Sequence, residues 1–190
     1  MLAFAIPSHV VTIAWFTPTW LLPILVVSLL GGEANAYFYI AWALARLPNE
    51  AAFALSLSFT AEGAHDMYNV RARLLQSLKG GFVVLAGTTA FLILGADVLL
   101  AFFGPTYQAS SAPLRLLAVA SLPLLVTAHY LGFGRVRHRF SGLIPLTIAM
   151  AGATLAGTYL LAPTNGLASI GVVWLATQAI GGIVSYYELR

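Results

Sequence analysis

Six runs of apolar residues, each close to 20 long and nearly free of charge, dominate this chain of 190 residues. A helix rising about 1.5 Å per residue needs roughly 20 such residues to cross about 30 Å of hydrocarbon. The runs cover residues 10–30, 36–58, 81–103, 112–134, 140–161 and 166–187, and each is bounded by a charge, a Gly/Pro/Asn cluster or both. Their apolar residues are continuous, not alternating with polar ones, which selects helices over barrel strands. Only 8% of the residues are Asp, Glu, Lys or Arg, where a soluble domain carries about a quarter. Nine basic and six acidic residues cannot coat a water-soluble globule of this size. Nor do nine make the patch that a phosphate backbone needs, so no nucleic-acid partner is expected. With no Cys, disulfides, thiolate metal sites and a Cys nucleophile are excluded. The sequence predicts an all-α integral membrane protein with six transmembrane helices.

The few charges orient it. Glu62, Asp66, Arg71, Arg73 and Lys79 fall in the connection 59–80, and Arg135, Arg137 and Arg139 follow the fourth run. The connections 31–35, 104–111 and 162–165 hold no Lys or Arg. By the bias of basic residues toward the cytoplasmic side, both termini and the two basic connections are expected there. The first run is no cleaved secretory signal, because it is too long, is interrupted by Pro18 and Pro23 and lacks a basic start. Ala149, Ala153 and Gly157 recur at the spacing of a close helix–helix contact.

One segment breaks the apolar pattern at depth. Arg46-Leu47-Pro48-Asn49-Glu50 lies near the middle of the second run, where a central Arg costs about 2.5–3.5 kcal/mol on insertion scales. Arg46 and Glu50 are four apart and share a helix face, and Pro48 between them is expected to kink the helix. Arg46, Asn49 and Glu50 are therefore candidate cavity residues. Arg46 is suited to an anionic head group such as a lipid diphosphate, and Glu50 to holding Arg46 or carrying a coupling proton. The bland alternative is an internally neutralised pair. Gln178 in the sixth run is a candidate for cavity lining or for interhelical hydrogen bonding. Pro48, Asp97, Tyr107 and Arg115 are candidate gating or interfacial residues, Asp97 and Arg115 as an ion pair near the outer side. A lone His129 in the fourth run is expected to be hydrogen-bonded within the bundle.

Enzymatic chemistry finds no foothold. There is no Gly-x-Ser-x-Gly, no His-Glu-x-x-His and no aspartate cluster for a divalent metal, and His9, His65, His129 and His138 are scattered. No cofactor or metal is expected.

Several stretches resemble the bacterial polysaccharide flippases, which share a superfamily with the lipid II flippases and the multidrug and toxin extruders. They are Leu21-Leu22-Pro23-Ile24-Leu25-Val26, Ala36-Tyr37-Phe38-Tyr39-Ile40-Ala41-Trp42-Ala43 and Ser58-Phe59-Thr60-Ala61-Glu62-Gly63. Most specific is Phe103-Gly104-Pro105-Thr106-Tyr107, followed by Leu114-Arg115-Leu116-Leu117-Ala118 and Leu122-Pro123. The resemblance implies a twelve-helix transporter of two lobes around a central cavity, of which this chain matches the second. On that view the chain is a C-terminal fragment, or else a half-transporter that pairs. The implied setting is the bacterial cytoplasmic membrane, the implied partners membrane lipids, a lipid-linked sugar and the missing N-terminal lobe or partner half. The alternatives are an ion-coupled small-molecule extruder of the same superfamily and a non-transporting membrane subunit.

Overall fold

Two glycines decide where the longest helices turn. A computed structural model describes residues 2–65 and 68–190; Asp66, grouped above with the first basic connection, lies outside them. The elements are α1 (Leu2–His65), α2 (Val70–Ala101), a 3-10 helix (Pro105–Ser110), α3 (Ser111–Val119), α4 (Ser121–Val136) and α5 (Leu143–Leu189). There is no strand among the described residues. A straight helix of 64 residues would reach roughly 100 Å, about three bilayer cores. α1 avoids this by breaking at Gly31 (φ 88°, ψ 172°), and α5 breaks in the same way at Gly166 (φ 66°, ψ −161°). Positive φ of this kind is accessible to Gly at little cost.

The chain folds back on itself at both breaks. Phe16 meets Phe53 edge-on with ring centroids 5.2 Å apart, which ties residues 2–30 to residues 32–65. In α5, a β-carbon on Gly181 would stand 2.5 Å from the Met150 sulfur, and one on Gly157 would stand 2.9 Å from Val173 Cγ1. Those two glycines set how closely the halves of α5 approach. Ala149 and Ala153, expected to share that seam, are instead exposed. The buried face of this half is Thr147, Met150, Ala151, Thr154 and Thr158.

Among the described residues four helices are long and apolar enough to cross a membrane: Phe4–Gly63, Val70–Ala101, Pro105–Val136 (α3 and α4 with the preceding turn) and Leu143–Leu189. Their surface is the reverse of a soluble protein's. Leu94, Val83, Leu160 and Ile180 are among the exposed side chains, while Ser56, Thr89, Ser121, Thr127 and His129 are buried. The buried hydroxyls join helices: Ser56 donates to the Ala128 carbonyl at 2.6 Å, and Thr89 meets Ser121 at 3.0 Å. Such contacts hold helices together where lipid offers no hydrophobic drive for them to associate.

Several expected boundaries shift. The basic connection 59–80 is mostly helical, because nothing between Val70 and Gly80 breaks a helix. Arg71, Arg73 and Lys79 thus ride on the first turns of α2. Helix also fills most of 31–35 and 162–165, with only Gly31 and Gly166 outside helical space. The fourth run pauses at Ala120, so Pro123 falls in the first turn of α4, where its missing N–H costs least. The fifth begins at Leu143, not at 140. Pro48 lies within continuous helix, and Gly31 alone leaves helical φ/ψ within α1.

Charge is segregated along the bundle. One end gathers Phe4 against Phe140, Arg71 donating to the Arg190 carbonyl at 2.8 Å, and Arg73 paired with Glu62 at 3.3 Å. The opposite end holds Gly31, Gly166 and the turn before α3, where the Tyr37 and Tyr107 rings meet edge-on at 5.1 Å.

Candidate functional site

The stripe Trp42, Arg46, Asn49, Glu50 and Phe53 follows a spacing of three and four and so runs down one face of residues 32–65. That face closes a pocket with Trp15, Pro18 and Thr19 from the preceding helix, Leu124 from α4, and Thr147, Thr154, Trp174 and Gln178 from the two halves of α5. At about 1.5 Å per residue, Arg46 lies roughly 22 Å from the Gly31 turn and Gln178 roughly 18 Å from the Gly166 turn. Measured from the turns, both values fall inside a hydrocarbon core of about 30 Å.

The pocket is graded. Its floor is dry: Trp42 and Trp174 pack edge-on at 4.9 Å and 87° and are 2% and 4% exposed. Its mouth is charged: Arg46 Nη2 donates to Glu50 Oε1 at 2.6 Å, and both side chains are about half exposed. Three of the lining residues carry a buried polar atom with no partner among the described residues: Asn49 Oδ1, Trp174 Nε1 and Gln178 Oε1. Each unmade hydrogen bond of this kind costs about 1–3 kcal/mol. Three residues lining one pocket thus each carry such an atom, one donor and two acceptors. The Thr147 and Thr154 hydroxyls add nothing to this set, since each donates to a carbonyl of its own helix, at 2.9 Å and 2.8 Å. Space left between the walls is about 40 Å³, enough for a few water molecules.

Of the residues singled out in the sequence, Arg46, Asn49, Glu50 and Gln178 all line this one pocket. Pro48 is buried and does not line it. Asp97, Tyr107 and Arg115 belong to the opposite, turn-bearing end. There Arg115 bridges α3 to α2, donating to Asp97 Oδ2 at 2.6 Å and to the Ile93 carbonyl at 3.2 Å. Three tryptophans of the pocket, Trp15, Trp42 and Trp174, escaped the sequence reading. Their signal was present as Trp42–Arg46 and Trp174–Gln178, each one helical turn apart.

His129 is fully buried in α4. Its Nδ1 lies 2.9 Å from the Leu125 carbonyl and its Nε2 2.8 Å from Ser77 Oγ. The first contact fixes the tautomer with the proton on Nδ1, so Nε2 accepts from Ser77 and both ring nitrogens are satisfied. Among the described residues no three His, Asp or Glu gather as a metal set. The fold and the site together define a helical membrane protein with a polar pocket at mid-depth. No family model, curated protein or solved structure matches the chain.

Proposed function

We propose that this chain is a six-crossing lobe of a membrane transporter that flips lipid-linked saccharides by alternating access. The breaks at Gly31 and Gly166 support six crossings, by dividing α1 and α5 into lengths that each suit one bilayer. The clustering of Arg and Lys at the terminal end supports placing both termini in the cytoplasm of a bacterial cell.

One observation carries the reading: three buried unpaired polar atoms, three tryptophans and an Arg–Glu pair converge on a single pocket at membrane depth. Ring faces of Trp suit the apolar faces of sugar rings, amides suit hydroxyls, and a guanidinium suits phosphate oxygens. Arg46 and Glu50 stand half exposed on the bundle's own surface, where lipid would be a costly neighbour. A facing lobe, or water between two lobes, removes that cost and supports a two-lobed transporter whose cavity opens wide enough for the substrate in another state.

The second reading is an ion-coupled extruder of small molecules. It draws on the small volume of the pocket and on Glu50 as a proton carrier. The two are separated in proteoliposomes by replacing Arg46 with Ala. Under the first reading, translocation of a fluorescent undecaprenyl-diphosphate saccharide slows ten- to a hundredfold. Under the second, that compound never moves in the parent protein, and a proton gradient drives efflux of an organic cation instead.

A further inference from the structure

The three arginines at and just beyond the end of α4 read in the sequence as one basic cluster, but they part company in space. Arg135 turns inward and donates to Thr12 Oγ1 at 3.1 Å. Arg137 lies over the Phe133 ring at 4.8 Å, and the Arg139 guanidinium has no hydrogen bond or ion pair among the described residues. Arg137 and Arg139 instead line a second cavity together with Tyr130, Ser141, Gly142 and Glu188.

That cavity sits on the N-terminus of α5, a helix of 47 residues whose cap, Gly142, offers no side chain to its first turn. The backbone amides of Ser141, Gly142 and Leu143 bond to nothing among the described residues. Tyr130 is only 7% exposed, and its hydroxyl has no partner and lies so close to Gly142 that a β-carbon there would collide with it. An unpaired, accessible O–H on a largely buried side chain thus lies at the same spot as the free amides and the positive end of the helix dipole. Two guanidiniums against one carboxylate, Glu188, leave the cavity net positive. Its space is about 360 Å³, against about 40 Å³ in the mid-depth pocket, so a phosphate ester fits without rearrangement.

We propose that the N-terminus of α5, with Arg137, Arg139, Ser141 and Tyr130, is a phosphate-binding site at the basic end of the bundle. Its occupant is a phosphate group, from either a lipid head group or a free anion. This site is separate from the mid-depth pocket and stands whether or not that pocket binds a saccharide.

The full chain, purified in detergent with phosphatidylcholine, is titrated with phosphatidylglycerol and read by native mass spectrometry. In parallel it is titrated with inorganic phosphate alone and read by thermal unfolding. Preferential retention of one phosphatidylglycerol with no response to phosphate identifies a lipid occupant; stabilisation by phosphate with no lipid preference identifies a free one. In whichever arm responds, R137Q/R139Q weakens binding on the order of twentyfold and Tyr130→Phe a few-fold, whereas Glu188→Gln tightens it and Lys79→Gln leaves it unchanged. The opposite signs of the Glu188 and Tyr130 variants separate a site from general loss of fold. A silent result in both arms overturns the proposal, as does undiminished binding by R137Q/R139Q.

Discussion

Two Arg–carboxylate pairs in this molecule have the same length, 2.6 Å, and nearly the same exposure, yet they are built for different work. Arg115–Asp97 joins α3 to α2, and Arg115 also reaches the Ile93 carbonyl, so its guanidinium is spent on holding two helices together. Arg46–Glu50 spans one turn of one helix and joins nothing to anything else. It stands at the mouth of a pocket whose inner wall has three polar atoms unpaired. An ion pair that ties elements is architecture. One that ties no elements, placed where charge is expensive and beside groups awaiting partners, is a site.

The largest expected effect separates the pairs directly. Arg46→Ala lowers saccharide-lipid flipping in proteoliposomes by ten- to a hundredfold, the range for losing a charge-assisted hydrogen bond to a buried ligand. Arg115→Ala keeps the rate within about twofold, as expected of a partly exposed ion pair. A large loss from Arg115→Ala in a protein that still folds would erase the distinction. Next in size is Trp174→Phe, which keeps an aromatic ring against Trp42 but deletes the unpaired N–H together with part of the indole. Substrate affinity falls by a few-fold to tenfold, and unchanged affinity would show that this donor faces nothing. Smaller still, Ser77→Ala strips the His129 ring of one partner and lowers unfolding stability by about 1 kcal/mol, with no change in flipping rate. Smallest is Asp97→Asn, which lowers the melting temperature slightly and leaves flipping intact. A melting temperature insensitive to Asp97→Asn but lowered by Glu50→Gln would reverse the assignment of the two pairs.

The apolar runs and the polar break at Arg46, Asn49 and Glu50 were legible because the bilayer makes both length and polarity costly, and cost leaves a mark in sequence. Helix ends at the basic side were not. Residues 70–80 carry charges that bound an apolar run without ending a helix, so α2 begins eleven residues before the run it contains. The three tryptophans of the pocket were equally hidden, since an aromatic residue in a membrane helix suits lipid, interface and cavity alike. Only the fold brings Trp174 onto Trp42. The Arg135, Arg137 and Arg139 cluster shows the converse error, in which closeness in sequence hid a divergence in space.

The central claim is that the pocket around Arg46 opens to water within the membrane. Because the chain has no cysteine, a single Asn49→Cys variant in intact vesicles can be challenged with a charged, membrane-impermeant thiosulfonate. A Gln108→Cys variant in the turn before α3 marks the surface-exposed rate. Modification of Cys at position 49, slowed when saccharide-lipid is present, is the predicted result. Reaction at position 49 only with a lipid-soluble maleimide, while position 108 labels normally with the charged reagent, would contradict the account.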